Sequence, residues 1–139
     1  KIPEGAVVAV HDGVRPLVTP SLVREMFENV AEIPALIPVV PCVDTLKVLQ
    51  KDGDELRTVE GAVADRSVLY AAQTPQIFHS ELLKSAYSMA YDTMFTDDAS
   101  VVQKYGKSLS YVIGERLNIK ITTQEDLLLS RAVDLLNKD

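Results

Sequence analysis

Asp12 and Arg15 share the run His11-Asp12-Gly13-Val14-Arg15-Pro16, and Thr45, Arg66, Thr74 and Lys120 recur further along the chain at the ends of apolar stretches or in the loops between them. These residue types suit a phosphate. Arginine offers a planar fork of donors, lysine a compact charge and threonine a hydroxyl, with Asp12 the one acid in the set. Each also has a plain structural reading. Asp12 and Arg15 can be solvated turn charges, Arg66 beside Asp65 an exposed ion pair worth about 0–1 kcal/mol, and Asp97 and Asp98 helix-start residues.

Other chemistries do not fit the pattern. His11 and His79 are the only histidines, and they lie far apart without metal-ligand spacing; His11 reads as a strand-end residue. No Gly-x-Ser-x-Gly elbow is present, which excludes an α/β-hydrolase site. Neither a Gly-x-Gly-x-x-Gly nor a Walker-type loop occurs, so phosphate would be held by side chains or by residues outside this sequence.

The elements that must position these groups follow from periodicity. Val7–Val10 is a short unbroken apolar run, predicting a strand buried on both faces, and Asp12 sits just past its carboxyl end, where open parallel α/β sheets bind ligands. Thr19 caps a helix with Pro20 at its first position and Val23, Met26, Phe27 and Val30 as its apolar stripe. Ala35–Val40 predicts a second strand, with Pro38 arguing against a fully bonded central position. The β-α-β order points to a parallel crossover. Residues 44–59 flank an Asp52-Gly53 pair and predict an antiparallel arm, which needs a surface to lie against. Residues 67–73 return as a strand broken at Thr74-Pro75-Gln76. Ser80 caps a helix with Leu82, Leu83, Ala86 and Met89 inward, and a shorter helix starts at Thr96 and ends at Tyr105-Gly106. Leu109–Ile113 and Asn118–Thr122 read as extended, the latter with Ile119 and Ile121 on one face and Asn118, Lys120 and Thr122 on the other. The last helix opens with a Thr122–Glu125 capping box and buries Leu127, Leu128, Ala132, Leu135 and Leu136.

The 139 residues are 47% hydrophobic and 24% charged with a formal charge of -6, which describes one ordinary domain with a real core. The acidic balance argues against a nucleic-acid partner, and no apolar run is long enough for a membrane span. Cys42 is the only cysteine, in keeping with a reducing, cytoplasmic location. The chain opens Lys1-Ile2-Pro3-Glu4-Gly5 without an initiator methionine and enters a strand at once, which reads as a start within a domain.

Six ordered motifs resemble one family. His11–Pro16, Asp44-Thr45-Leu46-Lys47, Asp65-Arg66-Ser67, Gln73-Thr74-Pro75-Gln76, Thr96-Asp97-Asp98-Ala99-Ser100 and Asn118-Ile119-Lys120-Ile121-Thr122 occur in the order seen in the 2-C-methyl-D-erythritol 4-phosphate cytidylyltransferases. The resemblance implies an α/β fold, a Rossmann-like nucleotidyltransferase three-layer sandwich, with residues 1–139 as its C-terminal part and a dimerisation β-arm at about residues 44–60. It implies a homodimer that moves CMP from CTP to a sugar-alcohol phosphate and releases pyrophosphate, with Mg²⁺ on the triphosphate. By matching motif, Lys120 and Asp12 would be catalytic, with Asp12 beside the metal or the substrate. Gly13 and Lys120 would meet the nucleotide, and Arg15, Thr45, Arg66 and Thr74 the sugar phosphate, arm residues reaching into the partner's site. The family's Gly-rich triphosphate loop, its Pro-Lys-Gln motif and its cytosine-recognition segment have no counterpart in these residues, so little activity is expected of them alone. Two alternatives are a ribitol-5-phosphate cytidylyltransferase, a related family sharing much of the Thr-Pro-Gln and Asn-Ile-Lys pattern, and a non-catalytic binding or dimerisation domain.

Overall fold

The computed structural model of the chain describes residues 1–136. Its elements are β1 (Val7–Val10), α1 (Pro20–Asn29), β2 (Ala35–Pro41), β3 (Leu49–Asp52), β4 (Glu55–Thr58), a 3-10 turn (Arg66–Val68), β5 (Tyr70–Ala72), β6 (Gln76–His79), α2 (Ser80–Ala86), α3 (Asp98–Lys104), β7 (Ser110–Ile113) and α4 (Gln124–Leu136).

Five strands form the main sheet, in the order β1-β6-β2-β5, with β7 on the other edge of β2. β6 is antiparallel to both β1 and β2, so β1 and β2 run parallel with β6 inserted between them. Only β7 pairs with β2 in parallel. The two faces of the sheet carry separate cores, as the period of two demands. Ala35, Ile37, Val39 and Phe78 pack with Leu83 and Ala86 of α2 and with Ala99, Val101 and Val102 of α3. Leu36 and Ile77 pack on the opposite face against Leu22, Met26 and Val30. The result is three layers, helix on sheet on helix.

Several local expectations change. β2 is the central strand despite Pro38. The Pro38 carbonyl accepts from Gln73 N at 2.8 Å, and the reciprocal rung would need an N–H that proline lacks. It falls at the break between β5 and β6, where Gln76 Nε2 reaches the Gln73 carbonyl instead, at 3.4 Å. β1 is only half-buried, as its position at the end of the strand order allows. Leu22 replaces Phe27 in the buried stripe of α1, whose cap on Thr19 is as expected.

Ser80 lies inside α2 after a His79 cap, and its buried hydroxyl has no hydrogen-bond partner among the described residues. α3 begins at Asp98, because Asp97 is the cap and exchanges hydrogen bonds with Ser100. Asn118–Thr122 joins no strand, and Asn118 is fully buried rather than outward-facing. The last helix is capped one residue later, by Thr123 and Asp126. It buries Ser130 and Val133, leaving Leu128, Leu135 and Leu136 exposed.

The arm is a separate two-stranded hairpin, β3–β4, and all eight of its strand residues are exposed. Its two-residue turn places Gly53 at φ +61°, a left-handed value that glycine takes without a Cβ clash.

Candidate phosphate-binding cleft

β1 delivers its chain end to the cleft through a tight turn in which Arg15 N donates to the Asp12 carbonyl at 3.0 Å. The turn brings Arg15 Nε to 3.2 Å from Asp12 Oδ2. The Arg15 side chain is only 12% exposed, and its Nη1 donates to the Asn118 carbonyl at 2.7 Å. Lys120 enters from the far end of the sequence and sets Nζ 3.4 Å from the same Asp12 oxygen. Its placement depends on the backbone on either side, where Asn118 is tied to Arg15 and Ile121 N donates to the Val14 carbonyl at 2.9 Å.

Thr74 precedes a cis bond to Pro75 and faces Asp12 from the β5–β6 break. Its hydroxyl accepts from Asp12 N at 2.9 Å and bonds His11 Nδ1 at 3.0 Å. The other ring nitrogen, His11 Nε2, meets the Arg15 carbonyl at 3.0 Å. A carbonyl only accepts, so His11 Nε2 donates to it, and in the neutral ring Nδ1 accepts a hydrogen bond from the Thr74 hydroxyl.

Asp12, Arg15, Thr74 and Lys120 thus line one cleft of ≈ 370 Å³. Gln73, Gln76, Thr96, Asp97 and Asp98 line the same cleft. Gln76 Nε2 holds Asp97 Oδ2 at 2.8 Å, and Gln76 Oε1 accepts from Ala99 N at 3.0 Å, so a single buried side chain fixes the start of α3 against the sheet. Asp98 accepts from the Tyr87 hydroxyl at 2.5 Å, which pushes that phenol up to about 12. Three carboxylates face two cations in this cleft, a balance that favours a phosphate arriving with its own cation.

Thr45 and Arg66 are not in this cleft. They line a second hollow of ≈ 430 Å³ with Leu46, Val63, Ala64 and Asp65. Arg66 Nη1 donates to the Val43 carbonyl at 2.8 Å, and no ion pair joins it to Asp65 among the described residues. Asp65 instead caps the 3-10 turn, and hydrogen bonds from the Ser67 hydroxyl and N–H hold its carboxyl below the usual range. Gly13 sits in the turn after β1 with nothing within 4 Å of a notional Cβ and no left-handed φ, so this face is open to approach.

Residue types alone do not single out His11, Gln73, Gln76 and Asn118. A signal is available in the Gln73-Thr74-Pro75-Gln76 run, two amides bracketing a proline at a sheet break, but their burial is a tertiary fact.

The three-layer sandwich, with an arginine, a lysine, a threonine and aspartates gathered around one cleft, is the Rossmann-like nucleotidyltransferase fold. The match is specific. Residues 2–135 fit the family model of 2-C-methyl-D-erythritol 4-phosphate cytidylyltransferase (IspD), and the chain belongs to this family. It is 43% identical over 127 residues to the 2-C-methyl-D-erythritol 4-phosphate cytidylyltransferase of Bacteroides thetaiotaomicron, covering 91% of this chain and 55% of the relative. The Saccharopolyspora erythraea enzyme of the same description is 42% identical over 133 residues, covering 95% of this chain and 57% of its own. Among solved structures, the 2-C-methyl-D-erythritol 4-phosphate cytidylyltransferase of Thermus thermophilus superposes with TM-score 0.75 at 34% identity, over 91% of this chain and 61% of that one. A 4-diphosphocytidyl-2C-methyl-D-erythritol synthase gives TM-score 0.78 at 30% identity, over 94% and 57%. The chain therefore spans little more than half the length of the curated relatives it matches.

Proposed function

We propose that this chain supplies the acceptor side of a cytidylyltransferase site that moves CMP from CTP to 2-C-methyl-D-erythritol 4-phosphate and releases pyrophosphate. The observation that carries the reading is the convergence of Asp12, Arg15, Thr74 and Lys120 on one cleft in a member of this family. In the proposed step an oxygen of the acceptor phosphate attacks the α-phosphorus of CTP in line. The bond from that phosphorus to the bridging oxygen breaks, and pyrophosphate leaves with the electron pair. No protein nucleophile is required, so the residues act by positioning and by charge.

Lys120 and Asp12 are the catalytic pair of this reading. The Lys120 ammonium meets charge developing on the reacting phosphates, and about half of its side chain is exposed at the cleft it lines. Asp12 holds Lys120 and Arg15 on one oxygen, Oδ2, and its Oδ1 takes no part in either contact. One such oxygen suits a Mg²⁺ held mainly by the triphosphate, and among the described residues no cluster of three or more His, Cys, Asp or Glu offers a metal site made by protein alone. When bound, that ion would offset triphosphate charge. Arg15 and Thr74 bind the acceptor phosphate, the Thr74 hydroxyl turning its one donor from His11 Nδ1 to a phosphate oxygen, and Gly13 leaves room for the nucleotide.

Thr45 and Arg66 complete the acceptor site from a second copy of the chain. This placement is supported by their distance from the cleft in one protomer and by the fully exposed hairpin, whose Leu49 and Leu56 have no cover. A lone hairpin is marginal in water, so the arm is proposed as the homodimer contact. A cytoplasmic location belongs to the same proposal and is supported by the free thiol of Cys42. No helix among the described residues is long and apolar enough to cross a membrane.

The test is pyrophosphate release from CTP with 2-C-methyl-D-erythritol 4-phosphate and, separately, ribitol 5-phosphate. It uses a polypeptide of the relatives' length that contains these residues, beside the 139-residue chain. Preferential release with the methylerythritol substrate supports the reading, and release with ribitol 5-phosphate alone overturns the acceptor assignment. The 139 residues contain no Gly-rich triphosphate loop and are expected to turn CTP over at a small fraction of the longer chain's rate.

A further inference from the structure

Gln73 is buried at 5% exposure, yet its side-chain amide is fully committed to backbone. Nε2 donates to the Glu115 carbonyl at 2.8 Å and to the Asn118 carbonyl at 3.4 Å, while Oε1 accepts from Glu115 N at 3.2 Å. The amide thus imitates one rung of a neighbouring strand where the β2–β7 ladder runs out. Gly114 sits against it. A Cβ at Gly114 would lie 2.4 Å from Gln73 Oε1 and 3.4 Å from the Pro38 side chain. Any side chain there would drive the amide off its partners.

The turn held by this amide leads directly to Lys120. Asn118, with no exposed surface, donates from Nδ2 to the Thr74 carbonyl at 2.8 Å and offers its own carbonyl to Arg15. Gln73 therefore couples the β5–β6 break, which carries Thr74, to the segment that carries Lys120. An exposed lysine loses considerable rotamer freedom when held in one place, and a fixed backbone origin reduces that cost.

We propose that Gln73 is a positioning residue of the cleft: its amide clamps the turn after Gly114 and so fixes where Lys120 meets Asp12 and the bound phosphate. The catalytic part of this inference rests on the cytidylyltransferase reading; the clamp itself does not. Its chemistry requires one donor and one acceptor on a single planar group, which glutamine supplies and methionine of similar volume does not.

Two measurements test it separately. In the 139-residue chain, Gln73→Met should raise amide exchange at Glu115 by about tenfold or more and shift the backbone resonances of Asn118 through Lys120, with Val23 to Phe27 of α1 unchanged. Unmoved Glu115 and Lys120 signals in a folded variant would overturn the clamp, whether or not any nucleotide is turned over. Gly114→Ala presses on the same amide from the other side and should give the same pattern; it serves where Gln73→Met fails to fold. In a catalytically active chain of the relatives' length, Gln73→Met should lower kcat by roughly tenfold to a hundredfold, since small misplacements of a catalytic group cost that much, with acceptor KM within about threefold. The same substitution in a Lys120→Ala background should cost less than about threefold, because the residue it positions is gone. Equal losses in both backgrounds would show that Gln73 does not act through Lys120. An active parent with that result sinks the proposal alone, whereas a parent without cytidylyl transfer sinks the functional reading and leaves the exchange experiment to decide the clamp.

Discussion

Lys120 Nζ and Arg15 Nε approach the same oxygen of Asp12, at 3.4 and 3.2 Å. One carboxylate oxygen between two cations leaves each cation only partly neutralised, so both retain attraction for a phosphate placed beside them. Removing Lys120 keeps the Asp12–Arg15 pair and the fold. Lys120→Ala in a chain of the relatives' length should lower kcat by about 10²–10³, the loss typical of one donor to a developing anion. Acceptor KM should change far less, and thermal unfolding should be unaltered. Steady-state kinetics with a melting curve checks both, and an unchanged kcat would remove Lys120 from the mechanism.

Arg66 donates to the Val43 carbonyl of its own chain and lies in a different hollow from Asp12. If it serves a neighbouring copy, Arg66→Ala should raise acceptor KM by about tenfold with kcat nearly constant, the mark of lost ground-state binding. A pure kcat effect would contradict that role.

Leu56 is 69% exposed on the hairpin. Leu56→Asp should leave the monomer fold intact and shift the species seen by sedimentation equilibrium from dimer to monomer at micromolar concentration. A monomeric parent, or a variant that stays dimeric, would show that the arm is not the contact.

Met26 is fully buried between α1 and the sheet, packed with Leu22, Val30, Leu36 and Ile77. Met26→Ala opens a cavity and should cost about 2–5 kcal/mol in urea unfolding, with the m-value retained.

Asp126 accepts hydrogen bonds from Thr122 N, the Thr122 hydroxyl and Thr123 N, which hold its carboxyl below the ordinary 3.8. Its folded pKa is depressed, so the stabilisation is present above the unfolded value and is lost as pH falls through the folded one. Asp126→Asn should therefore lower Tm near pH 7, and the gap to the parent should close on acidification below pH 3.8. A gap independent of pH would assign the effect to shape rather than charge.

Much of this protein is legible in one dimension because the signals are local. Thr19-Pro20 starts a helix by capping chemistry, Asp52-Gly53 turns a hairpin, and Val7–Val10 is apolar enough to be a strand, all from neighbouring residues. The departures share a cause as well. The missing N–H of Pro38 argues against a central strand, whereas the β5–β6 break needs no donor there. Alternation points Asn118 outward, but its segment joins no sheet, and the leucine pattern of α4 suggests a buried face on a helix that buries only Ser130 and Val133.

The sequence alone determined which residue types are available for phosphate and the family to which their order belongs, because motifs are short and chain-local. The tertiary structure decided their grouping. It put Asp12, Arg15, Thr74 and Lys120 around one cleft, sent Thr45 and Arg66 to another, and made Gln73 the link between Thr74 and Lys120. The physical reason is that these contacts close through β2 and its neighbours, and which strand lies beside which is set by burying two apolar faces at once, a condition no local stretch of sequence expresses.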